Sequence, residues 1–264
     1  MACTIGAKIL TTGAEFLMFK NKDLPRESFA DQLIAEPDVF GVRGLHIPEG
    51  TSGEQNILSG FSIGANSAGV CACNSHVRSI KGGENYDLLT EAAVRGTRNV
   101  PEACEAVMRL ARSARYNWSN ILIADARQVA AVEVAEDVVH MTSQSLVARA
   151  NDHLLAHACT DTVKQTPRAT RALALLDAAC GPEDAMRLCA SHEGQADNTP
   201  ICAHGAQDRR NTVYSYILHW RAGQWVLFVR QGRPCEGDYA RILLRFPLDL
   251  RHVECVYPAR RAAD

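Results

Sequence analysis

Residues 3–9 and 15–20 are short, apolar and strand-like, with Thr12-Gly13 as a turn signal between them. The pair predicts a β-hairpin. From 24 to 56, proline, glycine and charge interrupt every period, which predicts loop with one or two short strands. Ile57–Gly64 and Val70–Asn74 are apolar runs flanking Ala65-Asn66-Ser67-Ala68-Gly69, a second hairpin signal. The period then lengthens. Leu88, Leu89, Ala92 and Ala93 make an apolar stripe over 87–96, and Cys104, Val107, Met108 and Ala111 make another over 101–114. Pro101-Glu102 supplies the first-turn chemistry of the second of these helices.

Strand patterning returns over 119–142, in Ile121–Ala124, Val129–Val134 and Val138–Thr142. A helix is predicted over 167–180, with Ala172, Leu173, Leu175, Leu176 and Ala179 inside and Gly181 as its stop. Pro182-Glu183-Asp184 opens a shorter helix running to about Cys189. Ser191 to Asn211 reads as loop. Thr212–Trp220 and Gln224–Arg230 alternate around Arg221-Ala222-Gly223 as a hairpin, and Ile242-Leu243-Leu244 is a last short strand. Two helical pairs inserted among antiparallel hairpins suggest an α+β fold, a four-layer αββα sandwich of two antiparallel sheets flanked by helices.

At 264 residues with 47% apolar side chains, the chain can fill a full-sized core, and we read 1–264 as one domain. A net charge of −2 gives no reason to expect a nucleic acid or an anionic membrane as partner. No apolar run approaches membrane-spanning length and the start lacks a basic-then-apolar export layout, so a cytoplasmic location is expected. The ten cysteines are then expected to be reduced, most of them as small buried hydrophobes. Cys71 and Cys73 alternate on a strand and face one way. No CxxC pair and no HExxH spacing is present, and neither a metal nor a cofactor is expected.

Cys3 stands out because it lies two residues from the chain start. With Met1 and Ala2 removed, it would carry a thiol and a free α-amine, so that one residue supplies both nucleophile and base. The order of motifs around it extends over nearly the whole chain: Cys3-Thr4, Lys20-Asn21-Lys22-Asp23, Gly64 to Val70 leading to Asn74, Ala150-Asn151-Asp152-His153, Arg168, Ser191-His192-Glu193, Ile201-Cys202 and Gly232-Arg233-Pro234-Cys235. In this order the chain resembles the N-terminal-nucleophile hydrolases. It is most similar to the acyl-coenzyme A:6-aminopenicillanic acid acyltransferase family, and more distantly to bile salt hydrolases and penicillin V acylases.

The resemblance implies the same αββα sandwich. It also implies that Cys3 is the nucleophile, that Asp23 orients its amine, that the backbone N–H of Asn74 and the side-chain amide of Asn151 form the oxyanion hole, and that Arg168 lies near the nucleophile. Lys20 matches a position at which the bile salt hydrolases have arginine; it keeps the charge and loses the planar fork. Arg171, one turn beyond Arg168, is the alternative inward-facing arginine. His153 reads as a structural hydrogen-bonding residue, and His192 with Glu193 as residues ordering a loop near the pocket.

The activity implied is hydrolysis of a linear amide in a small molecule through a thioester acyl-enzyme. The alternatives are acyl transfer to an amine or from coenzyme A, and a non-catalytic binding relative. Ala2 would leave by self-cleavage or through an aminopeptidase. Arg26, Phe29, Asp31, Phe40 and Arg43 are expected to border the pocket and to favour a small polar substrate. A homo-oligomer is left open.

Overall fold

The computed structural model describes residues 2–24, 29–46, 56–57, 59–78, 82–135, 138–154, 166–196, 199–205 and 210–249. Its strands form two antiparallel sheets. The first contains β1 (Ala2–Thr11), β2 (Glu15–Leu24), β11 (Leu146–Arg149), β12 (Asn211–Arg221), β13 (Gln224–Gln231) and β14 (Ala240–Leu244), in the order β11-β1-β2-β12-β13-β14. The second contains β3 (Phe29–Glu36), β4 (Val39–His46), β6 (Ile63–Asn66), β7 (Cys71–His76), β8 (Ser119–Ala124), β9 (Val129–Ala135) and β10 (Val138–Gln144), in the order β10-β9-β8-β7-β6-β4-β3, with β5 (Asn56–Ile57) paired to β4.

Side-chain alternation divides the core into three layers. Ile5, Ala7, Phe16, Met18, Leu218 and Trp225 of the first sheet meet Phe40, Val42, Ile63, Cys71, Cys73 and Leu122 of the second in the space between the sheets. The opposite faces carry the helices. Helices α1 (Asp87–Val94) and α2 (Val100–Ser113) cover Ala72, Ile121, Ile123 and Val132 with Leu89, Ala93, Cys104 and Val107. Helices α3 (Pro167–Ala178) and α4 (Pro182–Cys189) cover Leu17, Phe19, Ala148 and Ile217 with Ala172, Leu176, Ala185 and Leu188. The fold is therefore the expected αββα sandwich. Among the described residues no helix is long and apolar enough to cross a membrane.

Local chemistry sets the helix starts. Asn99 caps α2 by accepting from the Glu102 N–H at 3.0 Å, so the helix starts at Val100, one residue ahead of the expected Pro101. Thr166 caps α3, with Pro167 in the first turn, and Arg168 follows directly.

The expectation that 24–56 is mostly loop is corrected. β3 and β4 are eight residues each and complete one edge of the second sheet. Their pattern is obscured for two reasons. Asp31 is buried in a polar cluster, and Gly41 stands where a Cβ would come within 2.5 Å of the Phe61 ring. The run read as a strand over 57–64 is also corrected. β6 begins only at Ile63 and extends through Ala65 and Asn66, residues read as turn, and the chain reverses at Ser67–Gly69, where Gly69 has φ +89°. β11 is a strand that patterning did not predict.

Candidate active site

β1 and β2 run antiparallel with Ala2 opposite Asp23, Cys3 opposite Lys22 and Ile5 opposite Lys20. Residues paired in this way share a face. Cys3, Lys20 and Lys22 therefore point into the space between the sheets, while Asp23 points outward under α3. The Ala2–Cys3 peptide lies between the two faces, beside the strand position that carries Asp23. Cys3 is 5% exposed.

On the outer face, Asp23 is fully buried. Its Oδ1 accepts from the Thr212 hydroxyl at 2.8 Å, and its Oδ2 faces Arg168 Nη1 at 3.4 Å and Arg210 Nε at 3.6 Å. Burial pushes the carboxyl above the usual carboxylate range, with Arg168, Arg210 and Thr212 pulling against that rise. The Arg168 guanidinium also donates to Asn151 Oδ1, so one arginine joins Asp23 to Asn151. Burial lowers the Arg168 pKa against the opposing charge of Asp23. Arg171 turns away and donates to the Thr199 carbonyl at 2.8 Å, so Arg168 is the arginine that faces the site.

The Asn151 segment is held from below. Ser75 Oγ donates to the Ala150 carbonyl, Asn120 Nδ2 donates to the Asp152 carbonyl at 3.1 Å, and His153 Nε2 lies 3.0 Å from the Ser119 carbonyl. Asn151 Nδ2 itself donates to the His76 carbonyl at 2.6 Å.

On the inner face, Lys20 Nζ donates to the Ser62 carbonyl at 3.0 Å, the Asn74 carbonyl at 2.6 Å and Asn74 Oδ1 at 2.8 Å. An ammonium has three donors, and all three are used. Asn74 is equally committed: its Nδ2 donates to the Phe61 carbonyl, Asp87 Oδ1 and Thr90 Oγ1, and its backbone N–H donates to the Ser62 carbonyl at 3.3 Å. Beside this hub, Lys22 pairs with Asp31, whose other oxygen accepts from the Tyr216 hydroxyl at 2.6 Å. Burial pulls the Lys22 pKa down, but the charge and hydrogen bond of Asp31 outweigh it and hold the ammonium above the ordinary lysine value. Cys73 shares the Cys3 face, and burial pushes its thiol up to about 12.

The sequence-derived residues thus fall into two connected groups on either side of β1: Asp23, Arg168 and Asn151 outside, Lys20 and Asn74 inside, with Cys3 at the strand end between them. Sequence reasoning missed Arg210, Thr212, Tyr216 and Asp87, gave Lys22 no role, and placed Asp31 at the border of the pocket rather than as the partner of Lys22. Lys22 could have been found, since Lys20 and Lys22 continue the inward alternation of Phe16 and Met18. Of the expected pocket residues, Phe40 is instead a core side chain, and Arg43 lies over the Phe61 ring at 5.8 Å. Arg26 and Met1, and the side chain of Phe29, lie outside the described residues. A cleft of about 620 Å³ lined by Trp220, Gly223, Leu244 and Phe246 is at the other end of β12 from Thr212, away from Cys3.

Two variants of a conjugated bile acid hydrolase from Clostridium perfringens share this architecture. One matches with a TM-score of 0.53 and 11% identity over 96% of this chain and 100% of that one. The other matches with a TM-score of 0.51 and 12% identity over 94% and 99%. A penicillin V acylase from Agrobacterium tumefaciens matches with a TM-score of 0.47 and 11% identity over 86% and 82%. No family model matches the chain, and no curated protein matches it. At these identities the likeness to the bile acid hydrolase structures shows the fold alone: this chain shares their sandwich architecture.

Proposed function

We propose that this chain is an N-terminal-nucleophile amidohydrolase, acting on a linear amide bond of a small molecule once Met1 and Ala2 have been removed. The observation that carries the reading is the register of β1 on β2. It puts Asp23 opposite Ala2, beside the nitrogen that would become the Cys3 amine, and leaves the thiol on the other face of the strand. One residue can then offer its thiol to a substrate while its amine is held by a buried carboxylate.

The amine, with an ordinary pKa of roughly 7.7–8, takes the thiol proton. The thiolate adds to the amide carbonyl, and the ammonium returns the proton to the leaving nitrogen as the C–N bond breaks. Water then attacks the thioester, giving the acid and regenerating the thiol. Asp23, itself held by Arg168, Arg210 and Thr212, supports the ammonium that forms. Asn151 and the Asn74 N–H are the oxyanion donors in this reading. Both now donate to backbone carbonyls, so substrate must exchange with His76 O and Ser62 O for their protons. The Asn74 bond, at 3.3 Å, is long and costs little to share. Lys20 and Lys22 place two ammonium groups on the Cys3 face.

Intact mass of the purified protein is expected to show a chain beginning at Cys3. Cys3→Ala is expected to reduce amide turnover by at least ~10³-fold, the order seen when a covalent nucleophile is lost, with the melting temperature unchanged. A chain that keeps Ala2 and still turns over amide, or a Cys3→Ala variant with full activity, sinks the reading.

A further inference from the structure

The four side chains His192, Cys202, His204 and Cys235 bring one ligand atom each to a single point. All four atoms lie within 4.8 Å of one another. His192 Nε2 is 3.1 Å from His204 Nε2, and Cys202 Sγ is 3.5 Å from His204 Nε2. Cys235 Sγ is 3.0 Å from His204 Nε2 and 3.6 Å from Cys202 Sγ. Bond lengths of about 2.0–2.1 Å to nitrogen and 2.3 Å to sulfur make the edges of a tetrahedron about 3.3–3.8 Å long. These four separations, 3.0 to 3.6 Å, lie close to those edges.

Hydrogen bonding among the four groups does not explain the cluster. His204 Nε2 faces three heteroatoms at once, and a neutral imidazole nitrogen carries one proton or one lone pair. The two sulfurs are not bonded either, since a disulfide requires about 2.05 Å. A cation at the centre would satisfy all four ligands together.

The backbone aims these ligands. Cys202 and His204 are two apart in a segment that bonds back to β12, through Ala203 N to Thr212 Oγ1 at 2.8 Å and Thr212 N to the Ala203 carbonyl at 3.1 Å. The Cys202 N–H donates to the Ser191 carbonyl at 2.9 Å, which brings His192 alongside. Cys235 comes from the short 3₁₀ turn Pro234–Glu236 after β13. The ligands thus come from three separate segments, which is why a search of the sequence for paired spacings predicted no metal.

We infer that His192, Cys202, His204 and Cys235 form a structural site for a thiophilic divalent cation of the zinc type, bound through two imidazole Nε2 atoms and two thiolates. Binding releases the two thiol protons and leaves the metal's oxidation state unchanged. Four protein ligands fill a tetrahedral zinc, so the site is closed and its role is to clamp. What it clamps is the 201–204 segment, whose partner Thr212 donates to Asp23. The inference stands on the ligand geometry alone, independently of the proposed amidase activity.

The test is elemental analysis of the full chain, purified without an affinity tag or chelator, followed by titration of the metal-free protein with zinc and with cobalt(II). One zinc per chain is expected, and the cobalt form should show tetrahedral d–d bands with a thiolate-to-cobalt charge-transfer band. Cys202→Ser and Cys235→Ser should each weaken binding at least ~10-fold. Cys180→Ser, at an exposed cysteine elsewhere, should leave it unchanged. If the cysteine variants fail to fold, the exposed His192→Ala carries the test through the same tenfold loss. Chelation should lower the melting temperature of the wild type and not of His192→Ala. Failure of the metal-free chain to take up zinc or cobalt, or an intact mass two hydrogens short that maps to a Cys202–Cys235 disulfide, overturns the inference.

Discussion

The buried cations are the residues that most sharply define this protein. Lys20 spends all its donors on Ser62 and Asn74, while Lys22, one face-repeat further on, depends on Asp31. Removing one partner of a buried pair leaves the other charge uncompensated, at a cost of about 3–5 kcal/mol. Lys22→Met is expected to lose stability of that order in urea unfolding at pH 7, and Lys22→Met/Asp31→Leu to recover most of it. The pH dependence has a definite sign. The folded state holds the Lys22 proton more tightly than the unfolded chain does, so the pair's contribution is complete at neutral pH. It fades as pH rises beyond the ordinary lysine value of 10.5 toward the raised one. The stability gap between wild type and Lys22→Met should therefore stay constant from pH 6 to about 10 and narrow above about 10.5. A gap that widens there would contradict the assignment. Asp23 was legible as a residue of interest, but its partners Arg210 and Thr212 were not. They lie nearly two hundred positions away in the chain, and nothing in their local sequence sets them apart.

At the scale of elements, connections placed the polar groups as much as strands did. Gly60, at φ +87°, sits where a Cβ would come within 2.2 Å of the Asp87 backbone. That close approach lets the Phe61 N–H bond the Asp87 carbonyl at 2.9 Å and brings the Asp87 side chain to Asn74. Gly60→Ala combines a left-handed backbone with a steric overlap, so its cost should exceed the ~1 kcal/mol of a simple glycine replacement. We expect a fall of several degrees in melting temperature and weaker activity, because the Asn74–Lys20 hub shifts. An unchanged melting temperature would show that the α1 junction tolerates a side chain. The helices were read well because each is a periodic stripe with its own start chemistry, as at Pro101-Glu102 and Pro182-Glu183-Asp184. β3 and β4 were not, because glycines and buried charge break their alternation.

In the whole molecule, the two sheets are joined by apolar packing and by polar bonds between them, Lys20 to Asn74 and Lys22 to Asp31 among them. Phe16 meets Trp225 edge-on at 5.4 Å, and the Trp225 indole N–H crosses between the sheets to the Asn66 carbonyl at 2.9 Å. Truncating a buried phenylalanine costs about 3–5 kcal/mol, whereas a single neutral hydrogen bond contributes about 1 kcal/mol, rising to 1–3 when a buried acceptor is left unpaired. Phe16→Ala should therefore destabilise more than Trp225→Phe in thermal or denaturant unfolding. The reverse order would mean that the Trp225 bond, rather than apolar packing, sets the relation of the layers.

The sequence by itself determined the layers: hydrophobic periods of two and of 3.6, in the order strands, helix pair, strands, helix pair, strands, admit few ways of burying every apolar face. It also singled out Cys3 and Asp23, through their position in the chain and the motif order around them. Only the tertiary structure decided which arginine faces Asp23, that Lys22 shares the Cys3 face with a carboxylate partner, and that two histidines and two cysteines from three segments converge. The physical reason is one of range. Periodicity and capping are local and are written in neighbouring residues. The meeting of Asp23 with Arg168 and Arg210, or of His192 with Cys235, depends on strand register and loop closure across the whole chain.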